Sequence, residues 1–442
     1  MEEGHLVKIL VFSNYWHPQN GVPQRRWHWL GGMLSDRGHQ ISVITPPSNY
    51  RRNMSFKEWC ASFPTPSVAW RQGEPGDTGE TIFRTPVLPS GSSLTSRALS
   101  QGSVAFSQMI FVFYKYILKR EQRPDLLIGT VPALPTAGVT LLAARLLRIP
   151  YVIDLRDAWP DLLKESDRWN ESIGVASLRE VALRKGPLQM IKFLTENMLN
   201  IALSNSDGVM VTSSWLRDEL SRREGFKNRK KAPHLLTVRN VFPQETPFVK
   251  KCFDLKNENE LNVLYAGTIG RAQDLENVLK AASIAGKKGV SVNLRFIGAG
   301  DGRQKLVESA RKLGVNASFE QRKNSSEMTE PYDWADTALV HLADWEPLER
   351  TVPSKTFELM GARIHICGVV QGETAELIEK TGAGDVVKPG APEELARLWG
   401  ELLDNPASLE PRLEAYKWVE SERAISVGSE IDEFMKRIES GV

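Results

Sequence analysis

The chain has 442 residues, too many for one ordinary hydrophobic core and enough for two domains of roughly 200 residues each. Hydrophobic residues at 41% and charged residues at 25% are globular values that exclude a disordered chain. The net charge of +2 conceals an asymmetry: residues 1–245 hold 31 Lys and Arg against 22 Asp and Glu, and the remainder 25 against 32. The basic first half suits an anionic partner, such as an acidic membrane face or a pyrophosphate-linked substrate.

Residues 1–6 are short and acidic, with no basic or apolar leader region, so no secretory signal is expected. Strands are predicted at 7–13, 40–46, 125–130, 151–155, 207–213 and 235–240. Each is apolar and rich in β-branched residues, and helical segments alternate with them, the pattern of a parallel α/β sheet. Residues 50–103, rich in Pro, Gly, Ser and Trp, read as long loops over the cleft edge. Residues 104–120 are strongly apolar with a basic end, and either pack on their own sheet or dip into a membrane surface. The longest apolar run, 134–147, is broken by Arg145 and falls short of a membrane span. Around 243–256 the chain turns polar and rich in Pro and Lys, as a linker does. A second α/β unit follows, with strands at 261–267, 292–298, 337–343, 364–370 and 384–389. The expected domains are 1–245 and 246–419, with a cleft between the carboxyl ends of two sheets.

The most informative stretch is 352–378, VPSKTFELMGARIHICGVVQGETAELI. A helix opened by Pro353, Ser354 and Lys355 offers free N–H groups, the positive end of the dipole and an ammonium to one small volume, which suits a diphosphate. Lysine is disfavoured in a first helical turn unless an anion is bound there. One turn on, Glu358 is a carboxylate of the kind that binds the vicinal hydroxyls of a ribose. Gly267, Thr268 and Gly270 end a strand, where glycine lets backbone approach phosphate or sugar. Gly298 and Gly300 read G-x-G-x-G, not the dinucleotide fingerprint, so they suit a turn lining a base pocket and not a nicotinamide cofactor site. Asp157, at a strand's carboxyl end, either orients an acceptor hydroxyl and takes its proton or forms a structural pair with Arg156.

Other residues carry less. Arg25 and Arg26 suit either a lipid pyrophosphate or a solvated helix face. Trp16, Trp27 and Trp29 stack on sugar, meet lipid or pack in the core, the last being the default. No histidine pair has metal-ligand spacing and no D-x-D occurs, so neither a metal nor a cofactor is expected. Cys60, Cys252 and Cys367 are dispersed, as reduced thiols of a cytoplasmic protein are. No basic-aromatic pattern points to nucleic acid.

The segments VLYAGTIGRAQDLENVLKAA, FIGAGDGRQKL and 352–378, with PQNGVPQR, DRGHQISVIT and YVIDLRDAWPD in the first half, resemble retaining GT-B glycosyltransferases of family 4. The likeness is to the branch that builds bacterial capsule, O-antigen and exopolysaccharide chains, and it covers nearly the whole chain. It implies two Rossmann-like domains facing a cleft, with the final helix, within 420–442, crossing back to the first. It implies a UDP-sugar donor, with a hexosyl or N-acetylhexosaminyl group transferred with retention by same-face attack. The acceptor would be a polyprenyl-pyrophosphate-linked sugar or glycan at the inner face of the membrane. Gly21 would let acceptor and donor phosphate come close, and Lys355, Arg271 and the helix amides would stabilise the departing diphosphate. Glu358 matches the second of two family glutamates. At the first stands Arg350, with Glu349 one step further out, and Glu276 replaces a common lysine. Two other readings fit: a UDP-sugar 2-epimerase of the same fold, and a non-catalytic sugar-nucleotide or glycan-binding subunit.

Overall fold

The computed structural model describes residues 6–18, 21–47, 72–88, 94–131, 133–163, 187–227, 232–255, 257 and 260–440. Cys60 lies outside them, while Cys252 and Cys367 are free thiols. Two parallel sheets organise the chain. The first contains β1 (Lys8–Phe12), β2 (Gln40–Thr45), β3 (Glu74–Pro75), β4 (Thr81–Arg84), β5 (Leu126–Val131), β6 (Tyr151–Leu155), β7 (Gly208–Val211) and β8 (His234–Thr237), ordered β3-β4-β2-β1-β5-β6-β7-β8. Only the β3–β4 pair is antiparallel. The second contains β9 (Glu260–Ala266), β10 (Ser291–Ile297), β11 (Ala317–Glu320), β12 (Thr337–His341), β13 (His365–Val369) and β14 (Gly384–Val387), ordered β11-β10-β9-β12-β13-β14. β5, β6, β7, β12 and β13 are buried along their whole length, as strands covered by helices on both faces must be.

These orders place a topological switch point between β1 and β5 in the first sheet and between β9 and β12 in the second. Ligands of open α/β sheets bind just beyond the strand ends at such points. The region expected to be loops, 50–103, is corrected in part: β3 and β4 lie within it, with β4 parallel to β2. Thr81, Ile82 and Phe83 are β-branched or aromatic, and the Pro- and Gly-rich surroundings masked that signal. β11 was also not foreseen. Helix Leu94–Val112 runs into a π-helical turn, Phe113–Leu118. In 104–120, Val104, Phe111 and Tyr116 are buried, as packing on the sheet expects, while Phe106, Ile110 and Phe113 are exposed. Among the described residues, no helix is long and apolar enough to cross a membrane.

The two lobes are joined by specific polar contacts. Ser213 caps helix Ser214–Arg222 of the first lobe, its side chain accepting from Leu216 N–H. Glu373, which opens helix Glu373–Thr381 of the second lobe, accepts from the same helix start: Ser214 N–H at 3.0 Å, Ser214 Oγ at 2.8 Å and Trp215 N–H at 2.7 Å. Its carboxylate also pairs with Arg239. Burial pushes the Glu373 pKa up, but Arg239 and the two amides outweigh it, so the net shift is downward. Arg350 adds an ion pair to Asp161 at 3.2 Å and accepts, through its carbonyl, from Ser213 Oγ at 2.5 Å.

The final helix, Val427–Ser440, returns to the first lobe as expected. Phe434 packs on Gly208 and stacks with His234, and Arg37 pairs with Asp432. Arg423 donates to the Val241 carbonyl at 2.6 Å on the way.

Inside the first lobe, helix Val22–Asp36 is held by one buried ion pair. Arg26 donates to Asp154 Oδ1 at 2.8 and 3.2 Å, to Val238 O at 2.7 Å and to Asn240 Oδ1 at 3.0 Å. Trp27 Nε1 takes the other Asp154 oxygen at 3.0 Å. Arg26 and Asp154 are both 0% exposed, which overturns both expectations for Arg26: it faces neither ligand nor water. Trp16 and Trp27 are likewise core residues.

Asp154→Leu should strand the Arg26 charge and lower stability by about 3–5 kcal/mol, measured by denaturant unfolding. Glu373→Gln should cost at least about 2 kcal/mol. Because the Glu373 pKa is depressed in the folded state, its contribution is present above the unfolded value and lost as pH falls through the folded one. The difference between wild type and Glu373→Gln should therefore shrink in acid.

Candidate active site

The second switch point is built from two strand ends and a helix start. β9 runs into Gly267, β12 ends at His341, and helix Ser354–Gly361 follows the short 3₁₀ turn Glu346–Arg350. Pro353 is the N-cap, with φ −60° and ψ 135°, so the helix begins at Ser354, and no side chain caps it. Its opening amides are thus left for a ligand or water.

Lys355 turns inward. Its Nζ stands 3.7 Å from the centre of the Tyr265 ring and lies against Gly267, where any Cβ would collide with it. The ammonium is buried and makes no hydrogen bond to any described residue. Burial brings its pKa down to about 7, with Glu358 opposing. Tyr265, a buried phenol, donates to the Thr268 carbonyl at 2.5 Å and so braces the same loop. His341 is buried beside it, held to Asn277 at 3.1 Å. Burial, and secondarily Lys355, keep it neutral, with a pKa down to about 3. The Gly267 loop and Lys355, singled out separately in the sequence, thus lie together.

Glycine at 298 and 300 has a different explanation. A Cβ at Gly298 would strike the Gly267 carbonyl and one at Gly300 the Ile269 carbonyl, because the β9 and β10 loops pack backbone against backbone. Ile269 N–H donates to Ala299 O at 3.0 Å across that contact. Gly270 precedes the turn Arg271–Gln273, and Ala343 N–H donates to Ala272 O at 2.9 Å, which places Arg271 beside the end of β12. Glu276 points to Ser309 and Lys305.

Glu358 is not a free carboxylate. Tyr332 Oη donates to it at 2.8 Å, and Arg25 reaches across from the first lobe to 3.5 Å. Arg25 also lies over the Phe242 ring at 4.5 Å, so the expectation of a solvated or lipid-facing Arg25 is corrected. Glu349 is only partly buried, and its backbone packs on Gly372, whose φ of +67° and lack of a Cβ that contact requires.

The first switch point faces this one. Gly21 caps helix Val22–Asp36 in extended conformation. Ser13 lies 3.4 Å from Thr130 across β1 and β5. Asp157 follows β6; burial raises its pKa, while Arg156 and Trp159 pull the other way. Arg156, read from the sequence only as a candidate partner of Asp157, is 7% exposed, with Nε and Nη1 lacking any hydrogen-bond partner. Burial brings its pKa down to about 10. Among the described residues, one group of potential metal donors comes together: His17, His28 and Asp77, within 4.8 Å of one another. They are distant in sequence, and two of the three are exposed, so spacing gave no sign of them.

Residues 21–233 match the glycosyl transferase 4-like domain family and residues 250–417 the glycosyl transferases group 1 family. The chain is 26% identical over 322 residues to a putative colanic acid biosynthesis glycosyl transferase, WcaI, of Escherichia coli (strain K12), covering 70% of each chain. Sucrose-phosphate synthase from Thermosynechococcus elongatus has a similar fold, with TM-score 0.66, 14% identity, and coverage of 99% of this chain and 100% of that one. HepE of Anabaena, solved with UDP-glucose, gives 0.60 at 13% identity, covering 98% and 100%.

An anion binds the protonated form of Lys355, and that form declines above pH 7. Affinity for UDP is expected to fall between pH 7 and 9, by up to about tenfold per unit, in calorimetric titrations. Lys355→Met should bind weakly with little pH dependence over that range.

Proposed function

We propose, from the premise that this chain is a GT-B glycosyltransferase whose halves belong to the 4-like and group 1 families, that it moves a sugar from a UDP-sugar to a lipid-linked or glycan acceptor in surface polysaccharide biosynthesis. One observation carries the reading: a lysine ammonium buried without a hydrogen-bond acceptor, at an uncapped helix start, packed against Gly267. Such a charge calls for an anion, and a diphosphate leaving group supplies one. The UDP-glucose in HepE and the colanic acid assignment of WcaI support the donor and the pathway class.

In this reading the donor diphosphate lies on the amides of Ser354 and Lys355, with the ammonium and Arg271 beside it. Charge develops on the diphosphate as the glycosidic bond breaks, and a cation already fixed in a dry site stabilises it without reorganisation. Glu358 takes the ribose once Arg25 withdraws. Gly21 and Asp157 face the reacting carbon from the first lobe, and the elevated pKa of Asp157 favours a group that accepts the acceptor's hydroxyl proton. Retention is carried over from the family likeness, and with no enzyme nucleophile assigned it calls for attack on the face the diphosphate leaves. No metal or cofactor is required. The acceptor is a polyprenyl-pyrophosphate sugar delivered at the inner membrane face, which the basic first half and the exposed apolar side chains of helix Leu94–Val112 suit.

Incubation with a panel of UDP-sugars, with and without a lipid-linked acceptor, tests the proposal. UDP release that depends on the acceptor is expected, and Lys355→Met should reduce it at least about a hundredfold. Acceptor-free isomerisation would instead indicate an epimerase, and binding without turnover a non-catalytic subunit.

A further inference from the structure

The sequence offered Arg156 only as a structural partner of Asp157, and in the structure the two balance charge while Nε and Nη1 of the guanidinium stay without a hydrogen bond. Arg156 follows β6 at the carboxyl edge of the first sheet, and its backbone is fixed on both sides. Its N–H meets Val131 O of β5 at 3.5 Å, and its carbonyl accepts from Thr212 Oγ1, just past β7, at 3.0 Å. The nearest carboxylates are already engaged. Both Asp154 oxygens are taken by Arg26 and Trp27. Asp157 balances charge without a hydrogen bond to the guanidinium: Nε and Nη1 are buried and unpartnered.

Position adds the second argument. Arg156 is close enough to feel Tyr15, which lies just beyond β1, although β5 intervenes between β1 and β6. With its N–H on Val131 O at the carboxyl end of β5, Arg156 sits beside the β1/β5 switch point. The inter-lobe contacts of Ser213 and Asp161 with Arg350 flank the same edge. A buried guanidinium with idle N–H groups is costly unless a ligand completes it, and its planar fork matches phosphate oxygens.

We propose that Arg156 is a second anion seat, in the first lobe, that takes a phosphate or diphosphate group of a substrate opposite the Lys355 seat. Its two sources are the donor's diphosphate and the acceptor's, and only the name of the anion rests on the transferase reading. Asp154 and Arg26 beneath it form the fixed floor, and Arg156 is the member left for ligand.

The test uses the full chain with Arg156→Met, which removes the charge but keeps length and apolar bulk, with Arg156→Lys as a second variant. Binding of inorganic pyrophosphate, UDP and farnesyl diphosphate is measured by calorimetry, and the melting temperature without ligand by calorimetric scanning. Arg156→Met should melt no lower than wild type, because it removes an unpaired buried charge. It should weaken farnesyl diphosphate or UDP by about tenfold or more, with Arg156→Lys intermediate. Loss confined to farnesyl diphosphate assigns the seat to the acceptor, and loss confined to UDP assigns it to the donor. Unchanged affinity for all three anions overturns the proposal, as does a lowered melting temperature with binding intact. If wild type binds no UDP, the functional reading fails, while pyrophosphate binding still decides the role of Arg156.

Discussion

A lysine ammonium enclosed by a tyrosine ring, a glycine loop and a neutral histidine is the constraint around which the second lobe is arranged. Burying an amine without an acceptor is unfavourable, and the protein lowers the cost by letting the proton leave near neutrality. Gly267 makes room for the side chain, and Tyr265 ties that loop down through Thr268. His341 remains uncharged beside it. Each of these choices makes the ligand-free site less comfortable and an anion more welcome, the preorganisation expected where charge develops during a reaction.

The first lobe treats its buried cations in two ways. Arg26 has three acceptors on two segments and serves the fold, tying helix Val22–Asp36 to β6 and to the chain after β8. Arg156, two residues beyond Asp154, has none of these acceptors. The contrast matters because two buried arginines are separated by what their N–H groups touch. Glu373 solves a related problem between lobes. One carboxylate completes a helix start that belongs to the other lobe, so approach of the lobes is linked to satisfying backbone amides.

Local signals made much of this readable from the chain. Strands such as 151–155 and 364–370 are short, mostly apolar runs rich in β-branched residues, which is what burial on both faces favours. A lysine after Pro353 and Ser354 is chemically odd enough to mark an anion site by itself. What escaped is non-local. Arg26 and Asp154 are 128 positions apart, and Ser214 and Glu373 are 159 apart, so no spacing rule connects them. Arg156 was hidden for the opposite reason: its information lies in the acceptors it lacks. Glycines 298 and 300 are required by close backbone packing, which demands the same missing Cβ that ligand approach does. β4 was lost among prolines and glycines, whose turn signals outweigh a four-residue run.

The charge state of Lys355 bears most directly on the whole account. With lysine enriched in carbon-13, the Cε resonance of Lys355, assigned by its loss in Lys355→Met, can be followed against pH with and without UDP. The account predicts a midpoint near 7 in the free protein and a clear upward displacement when UDP is bound. A midpoint at the ordinary lysine value, unmoved by UDP, would mean that the ammonium faces water and that the diphosphate seat does not exist.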